Sequence, residues 1–375
     1  MRASAVIGAC FGDEGKGLLT DYLSDENTLV VRFNGGGQAG HTVVTPDGKR
    51  HAFAHVGAGA FRGAHTFLSR YFLVDPRIWC EEMAELYPLG VRPIVYVDPD
   101  AFLVTPFDVF VNQELERSRG NQRHGSCGSG INETVTRCTE SEVPTRVSDI
   151  ATGALESKVS SLRAYAFKRI KNMTGSNPSE YTEHLLNSPD VVDDWMESCA
   201  MFIQEVLLPE NAPKGYSNVV FEGAQGLLLD EKHHYFPHVT RSRTGLTNVV
   251  PLCLSLGIRN LDVYYVMRSY MTRHGAGPFP SEVHGLSFFD DTNNHNAWQG
   301  TLRFGSFDED LVRQAISRDL NTVGRSVPIS ASACVTHVDQ HADMPRVGLP
   351  VRLVSHGRTR ENVTAHTAAL TLTGG

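Results

Sequence analysis

Residues 12–17 combine glycine, carboxylate and amine groups at a spacing that suits phosphate binding. They read Gly-Asp-Glu-Gly-Lys-Gly and directly follow a short apolar run. Glycines let backbone N–H groups crowd around an anion, the next helix adds its positive end, and Lys16 can reach outer phosphates. Two carboxylates repel an anion, so Asp13 either holds a metal ion or takes a proton from a second substrate. The alternative is an ordinary strand-turn-helix corner, because Cys10 and Gly17 depart from G-x-x-x-x-G-K-[ST].

Four further glycine-rich segments carry polar residues. They are 34–42, 125–130, 223–226 and 275–277. We expect all five segments to follow strands and to meet at one edge of a parallel sheet, where ligands of α/β proteins bind. One such segment is often only a turn, whereas five indicate a large site for more than one phosphorylated ligand.

His41 lies in the second of these segments and could donate a proton to a phosphoryl oxygen or a leaving group. It pairs with Asp13 as acid and base, because their surroundings would shift their pKa values in opposite directions. The alternative for His41 is a structural role, since the chain has 16 histidines. Asp339 follows an apolar strand and could either accept two hydrogen bonds from a guanine-like edge or cap the next turn.

Three loop arginines are candidates for binding anions. Arg303 could clamp a carboxylate, and Arg241 and Arg243 could contact phosphate. The alternative is that these side chains are simply solvated, as loop arginines usually are.

Alternating strands and helices predict an α/β fold similar to the P-loop NTPases, with a largely parallel central sheet flanked by helices and with smaller subdomains. A helix from about Asp308 follows the cap-like Ser306. The predicted strands are 28–33, 93–97, 218–222, 261–267, 333–336 and 350–354, and the predicted helices are 78–87, 107–119, 155–171 and 190–208.

Composition narrows the class of protein further. The 375 residues are 41% hydrophobic, which allows a substantial core, and the net charge of −8 argues against a nucleic-acid surface. No apolar run reaches about 18 residues, so we expect no membrane span. Seven cysteines without a C-x-x-C pair predict reduced thiols in a cytoplasmic protein.

The chain resembles the adenylosuccinate synthetase family through most of its length. Residues 12–17 match the phosphate-loop signature of the family, and 40–42, 221–226 and 275–280 match further motifs in the same order. Arg146, followed by Val-Ser-Asp, resembles the arginine that reaches the nucleotide of the neighbouring subunit. The resemblance therefore implies a homodimer in which Arg146 acts across the interface.

The resemblance also implies a Mg²⁺-dependent carbon–nitrogen ligase. Such enzymes use a nucleoside triphosphate to phosphorylate O6 of a 6-oxopurine nucleotide, and the amino group of L-aspartate then displaces that phosphate. Asp13 would take the N1 proton, and His41 would protonate the departing diphosphate oxygen. Lys16 and Mg²⁺, held by Asp13 and the Gly40 carbonyl, would neutralise the transferring group.

By the same resemblance, the site residues fall into four groups. The catalytic group is Asp13, Lys16, His41 and Gln225. The group that binds the nucleoside triphosphate is Gly12, Glu14, Gly15, Lys16, Gly17, Gly40, His41, Thr42, His337, Asp339 and Gly357. The group that binds the nucleoside monophosphate is Asp13, Gln38, Ser126, Cys127, Arg146, Gln225 and Thr240. Thr301 and Arg303 would bind aspartate.

Several positions depart from the family pattern. Gln38 and Cys127 replace an expected Asn and Thr, and the aspartate loop keeps only Arg303 of an arginine run. His337 replaces the lysine of a T-K-x-D motif that selects guanine, and residues 355–358 replace an S-T-G-P segment that packs the same base. These changes make GTP a doubtful donor.

The chain is also shorter than usual members of the family. We expect one domain over 1–375, with a compressed C-terminal third, about 300–375, that carries the aspartate loop and the donor-base site.

These departures resemble a phage-encoded branch of the family, which acts on dGMP in place of IMP and uses dATP or ATP. The product would be N6-succino-2-amino-2′-deoxyadenylate, a precursor of 2-aminoadenine DNA, made in the host cytoplasm. That branch often replaces the loop aspartate by a smaller residue, whereas Asp13 is retained here. Gln38 and the altered 124–130 loop could make the room instead. The alternatives are an ordinary synthetase using IMP and GTP and, more remotely, a non-catalytic nucleotide-binding protein.

Overall fold

The computed structural model describes residues 1–293, 298–324 and 326–366. Within these residues the strands are β1 Arg2–Gly8, β2 Thr28–Arg32, β3 His41–Val44, β4 Arg50–Phe53, β5 His65–Leu68, β6 Val95–Val97, β7 Asn218–Gly226, β8 Leu261–Arg268, β9 Met271–Arg273, β10 Arg303–Gly305, β11 Ile329–Thr336, β12 Val351–Ser355 and β13 Val363–Ala365. The helices are α1 Lys16–Leu23, α2 Pro76–Leu86, α3 Pro106–Ser118, α4 Ile131–Glu140, α5 Val147–Ala151, α6 Leu155–Thr174, α7 Glu180–Asn187, α8 Pro189–Glu205, α9 Leu246–Ser255 and α10 Glu309–Thr322.

One large sheet forms the centre of the described chain, in the order β13-β12-β11-β8-β1-β7-β2-β5-β6. Neighbouring strands are parallel, except that β13 is antiparallel to β12. The inner strands are continuous apolar runs because both faces of a parallel sheet are covered. Two antiparallel pairs, β3–β4 and β9–β10, lie outside this sheet. The predicted fold class is therefore confirmed.

Helices bury apolar side chains of the sheet in separate core clusters. Val249 of α9 and Val312 of α10 pack with β8 in one cluster. Trp79 of α2, Phe107 of α3 and Trp195 of α8 belong to a second cluster. No helix in the described ranges is long and apolar enough to cross a membrane. The prediction of one domain over 1–375 stays a prediction, and 294–297, 325 and 367–375 lie outside the described residues.

Three features of the predicted framework were wrong. The strand predicted over 218–222 continues to Gly226, because glycine at 223 and 226 lets β7 pass close to the backbone at Val6 and Cys10. Segment 125–130 joins α3 to α4 and follows no strand, and β9 separates β8 from 275–277. Asp308, and not Ser306, caps α10, because its carboxylate accepts the N–H of Leu311 at 3.0 Å.

The sequence analysis also left several elements unassigned. It missed the β3–β4 hairpin and the helices α4, α5, α7 and α9. The helix α5 has only five residues, and the strands β3 and β4 have four each, so each offers little periodic pattern.

A buried carboxyl of α10, which contacts the first residue of α9, provides a stability prediction. Asp319 accepts hydrogen bonds from the Leu246 N–H at 2.8 Å and the Tyr265 hydroxyl at 2.9 Å, and burial raises its pKa from 3.8 to about 6. The folded state therefore binds a proton more tightly than the unfolded chain, so this contribution is full below 3.8 and is lost as pH rises through about 6. We expect the Asp319 contribution to the free energy of unfolding to fall by about 3 kcal/mol across that window.

Urea unfolding at several pH values measures this effect as the difference between wild type and Asp319→Asn. The variant keeps an acceptor for Leu246 and a partner for Tyr265 but cannot titrate, so its curve should be flatter over the same window. Identical pH profiles for the two proteins would contradict the assignment.

Candidate functional site

A cleft of about 710 Å³ opens where loops at the carboxyl ends of the sheet strands meet. Its wall includes residues 12–17, which we call the phosphate loop after their predicted role. The wall also includes the segment after β2, the end of β7 and the loops after β11 and β12. The cleft brings together most of the predicted site residues. Those that line it are Gly12, Asp13, Glu14, Gly15, Lys16, Gly17, Gln38, Gly40, His41, Thr42, Ser126, Cys127, Gln225, Thr240, Arg241, His337, Asp339 and Gly357.

Glu14 organises the phosphate loop from inside. Its Oε1 accepts the backbone N–H groups of Cys10 at 3.1 Å and Gly12 at 2.9 Å, and its Oε2 pairs with Lys16 Nζ at 2.5 Å. The carboxylate fits there because Gly8 and Gly226 have no Cβ, which would lie within 2.8 Å of it. The side chain of Glu14 therefore supports the loop and Lys16. The prediction that Glu14 contacts nucleotide stays a prediction.

Three residues other than glycine adopt the left-handed backbone conformation in the described chain, and all three line the cleft. They are Asp13, Gln225 and His337, with φ of 61°, 56° and 60°. Bulky residues rarely adopt this conformation, and such strain concentrates at functional sites. Two of the three belong to the predicted catalytic group.

Two side chains attach the phosphate loop to neighbouring strands. Thr336, at the end of β11, donates its hydroxyl to the Glu14 carbonyl at 2.7 Å. Arg268, at the end of β8, donates to the Asp13 carbonyl at 2.5 Å and to Asp290 at 3.2 Å. These two hydrogen bonds to backbone carbonyls fix the conformation of the phosphate loop relative to β11 and β8.

His41 forms a buried pair with Glu222. Its Nδ1 lies 2.7 Å from Glu222 Oε1, whereas Glu222 Oε2 accepts the Ala58 N–H at 3.1 Å and lies 3.8 Å from Arg32 Nε. A carboxylate on Nδ1 requires the proton there in the neutral ring, which leaves Nε2 as the nitrogen available to a ligand in the cleft. His41 is thus oriented by a partner on β7, the strand that pairs with β2 in the central sheet.

Burial and the neighbouring charges act in opposite directions on the pKa values of this pair. Burial lowers the pKa of His41 below 6.5, against the opposing effect of the Glu222 charge. Burial would raise the pKa of Glu222, but His41, Arg32 and the Ala58 N–H outweigh it and hold that pKa below 4.5. The carboxylate is therefore charged at neutral pH, and any proton that His41 takes up from a ligand is stabilised by it.

Unsatisfied polar atoms mark the part of the cleft next to His41. The side-chain oxygens of Gln38, Thr42 and Gln225 are buried and have no hydrogen-bond partner in the described chain. An unpaired buried acceptor or hydroxyl costs about 1–3 kcal/mol. A polar ligand in the cleft would remove this cost.

The oxygen donors near the phosphate loop suit Mg²⁺. The Asp13 side chain is 29% exposed, Gly40 is exposed, and both line the cleft. Mg²⁺ is usually held by one or two carboxylates together with substrate phosphates. The described residues hold no cluster of three or more His, Cys, Asp or Glu that could bind a metal by themselves. The donor set therefore fits Mg²⁺ shared with phosphate and does not fit an all-protein metal cage.

The far end of the cleft contains His337, Asp339 and Gly357. Burial lowers the pKa of His337 to about 3, so its ring is neutral, and its Nδ1 lies 2.9 Å from the Thr336 hydroxyl. Asp339 is exposed to the cleft. Arg358 closes this end by pairing with Asp291 at 2.7 Å.

The opposite end contains Ser126, Cys127 and Thr240. Ser126 hydrogen-bonds to the Asn112 amide at 3.0 Å, which fixes the loop between α3 and α4. That loop packs directly on segment 275–277, because a Cβ on Gly125 would lie 2.7 Å from the Ala276 nitrogen. The glycine loops that the sequence separates are therefore in contact here.

Four predicted residues do not line the cleft. Arg243 pairs with Asp230, with Nε 3.2 Å from Oδ1. Arg303 is engaged by Glu282, with Nε 2.9 Å from Oε1, and by the carbonyls of Gly275 and Gly277 at 2.8 Å. Thr301 is exposed. Arg146 contacts Asp100 and the ring of Phe102.

The structure adds cleft residues that the sequence analysis did not assign to the site. A buried carboxylate ending an apolar strand could have indicated Glu222, and the glycine turn at 275 could have drawn attention to the preceding His274. No local pattern indicates the others. Glu222 is buried and orients His41 without lining the cleft itself. The lining residues not assigned to the site are Arg268, Arg273, His274, Asp290 and Asn293.

Comparison with solved structures supports the fold. The fully ligated adenylosuccinate synthetase of Plasmodium falciparum superposes with a TM-score of 0.68, at 17% identity, over 98% of this chain and 100% of that one. The succinoaminodeoxyadenylate synthetase of cyanophage S-2L, bound to dGMP and dATP, gives a TM-score of 0.56 at 15% identity, over 97% and 95%.

Sequence comparison identifies the family. The adenylosuccinate synthetase of Mycolicibacterium vanbaalenii is 31% identical over 336 residues, which cover 84% of this chain and 74% of the relative. That of Psychrobacter cryohalolentis is 31% identical over 330 residues, covering 83% and 73%. A model described as adenylosuccinate synthetase matches residues 5–371. The chain therefore belongs to the adenylosuccinate synthetase family, whose members are ligases that form a carbon–nitrogen bond.

Proposed function

We propose that this protein joins L-aspartate to C6 of a 6-oxopurine nucleoside monophosphate through a 6-phosphoryl intermediate. The observation that carries the proposal is the meeting of Asp13, Lys16, His41 and Gln225 in one cleft. A silent binding protein has no need of a buried, carboxylate-oriented histidine facing a phosphate loop. Activation by phosphorylation is chemically required, because an amide-like oxygen is a poor leaving group and phosphate is a good one.

In the first step, Asp13 accepts the N1 proton of the base, and O6 attacks the terminal phosphorus of the triphosphate. Lys16 and the N-terminal end of α1 stabilise charge on the transferring group. The imidazolium form of His41, which Glu222 stabilises, donates its Nε2 proton to the oxygen that leaves with the nucleoside diphosphate. In the second step, the aspartate amino group attacks C6, and phosphate departs.

Asp13 and the Gly40 carbonyl would hold Mg²⁺ together with the phosphates. The ion supplies neutralisation of phosphate charge when it is bound. Gln38, Ser126, Cys127, Gln225 and Thr240 form the proposed acceptor-nucleotide wall.

Two proposals rest on residues outside the cleft. Arg146 would reach the site of a partner subunit in a homodimer, and its side chain is 40% exposed. Thr301 and Arg303 are proposed to bind aspartate, which requires Arg303 to exchange Glu282 for the substrate carboxylate.

We propose dGMP as the acceptor and dATP or ATP as the donor. A neutral imidazole at residue 337, without the aliphatic stem of lysine, supports a donor base other than guanine. The cyanophage S-2L protein binds dGMP and dATP, and its fold is shared by this chain. The product would be N6-succino-2-amino-2′-deoxyadenylate.

IMP with GTP is the second candidate pair. The observation that favours it is the identity of 31% to ordinary bacterial adenylosuccinate synthetases, together with the retention of Asp13.

Phosphate release from purified protein tests both candidates. The assay crosses dGMP and IMP with ATP, dATP and GTP, in the presence of L-aspartate and Mg²⁺. We expect the highest kcat/KM for dGMP with dATP or ATP. Phosphate release only with the pair IMP and GTP would identify an ordinary adenylosuccinate synthetase. No phosphate release with any pair would exclude both candidate functions.

A further inference from the structure

His274 lies beside Asp13 and has no role in the mechanism above. It lines the cleft directly before the turn at 275–277, and its side chain is 21% exposed. Its Nε2 lies 3.5 Å from Asp13 Oδ2 and 3.1 Å from Asn293 Oδ1. One ring nitrogen therefore faces both the proposed proton acceptor and an amide oxygen.

The surrounding hydrogen bonds determine which nitrogen of His274 carries the proton. Asn293 donates its amide Nδ2 to Asp290 Oδ2 at 2.9 Å, and Asp290 also accepts from Arg268 at 3.2 Å. Because the Asn293 nitrogen faces a carboxylate, its oxygen faces His274 and must accept a hydrogen bond there. The proton is thus on Nε2, and Nδ1 of the neutral ring is an acceptor.

That acceptor is unused. His274 Nδ1 is buried and has no hydrogen-bond partner among the described residues. A buried acceptor without a donor is unfavourable, and a ligand that brings an N–H group restores the lost hydrogen bond. N1 of a purine is bonded to C6, whose oxygen must face the triphosphate, and to C2. When N1–H reaches Asp13, the C2 substituent therefore lies on the side of N1 away from O6, within reach of a residue beside Asp13.

We propose that His274 Nδ1 accepts a hydrogen bond from the 2-amino group of the acceptor nucleotide. This inference rests on the acceptor site proposed above. His274 then selects 2-aminopurine nucleotides over those with hydrogen at C2. The same ring accounts for the retention of Asp13, since Nε2 lies against Oδ2 on one side while Nδ1 serves the amino group. No smaller residue at position 13 is needed.

Titration calorimetry without triphosphate provides the test, with dGMP and dIMP as ligands that differ only at C2. Wild type should bind dGMP more tightly than dIMP by about fivefold, the effect of one hydrogen bond. His274→Ala and His274→Gln should reduce that ratio to about one, because neither keeps an acceptor at the Nδ1 position. His274→Asn, whose amide oxygen can replace Nδ1, should keep part of the preference.

His184→Asn is the matched control, because His184 is exposed on α7 and lies outside the cleft. Melting temperatures of all variants should match wild type. A wild-type ratio near one overturns the inference, as does an unchanged ratio in both His274→Ala and His274→Gln. Calorimetry measures binding and requires no turnover. A lack of phosphate release with dGMP would contradict the proposed function, whereas the binding ratio tests the role of His274 alone.

Discussion

His41→Asn should lower kcat for phosphate release by about 10²–10⁴-fold, the usual contribution of a positioned acid or base. The Nδ1 atom of His41 is bound to Glu222 at 2.7 Å, so the cleft side of the ring is the part that exchanges protons with substrate. Asparagine can still donate to Glu222, but it cannot carry the proton. Nucleotide binding by calorimetry should change by less than about tenfold, because the phosphate loop is untouched.

The matched control for His41 is His184→Asn, which should retain wild-type kcat. Glu222→Gln gives a second arm. It removes the charge that favours the protonated imidazole, so the pKa of His41 should fall further. The alkaline limb of the rate profile, which reports loss of the imidazolium, should therefore move to lower pH. A His41→Asn enzyme within about threefold of wild type would show that His41 is structural.

Asp13→Asn should abolish measurable turnover, with a loss of at least about 10²–10⁴-fold in kcat at every Mg²⁺ concentration. The substitution removes the proposed acceptor for the N1 proton and one of the two proposed Mg²⁺ ligands. Asparagine readily adopts the left-handed backbone that this position requires, with φ of 61°, so the fold should persist. Phosphate release and the melting temperature measure these two expectations.

Asp193→Asn on the exposed face of α8 is the control for loss of a carboxylate. It should leave kcat, KM and the Mg²⁺ dependence unchanged. An Asp13→Asn enzyme that keeps more than about a tenth of wild-type turnover would assign the proton to another group.

Local pattern predicted the fold class and several strands of the central sheet. The strand β2, for example, is fully buried around Leu29, Val30 and Val31, and its type follows from burial on both faces of a parallel sheet. The strand–glycine–helix order around residues 12–17 predicts a phosphate loop for a similar local reason. Pattern failed where long-range contacts set the structure, as at Gly223–Gly226, which continues β7 because glycine permits close approach to β1.

The sequence by itself determined the fold class, the strand–glycine–helix order around residues 12–17 and the family, because each depends on residue types at short and regular spacing. Only the tertiary structure decided which charges meet. In the folded chain His41 contacts Glu222, and Glu14 accepts backbone N–H groups of its own loop. Arg303 pairs with Glu282, and His274 lies beside Asp13. Such contacts depend on strand order and loop packing between residues far apart in the chain, which no local pattern encodes.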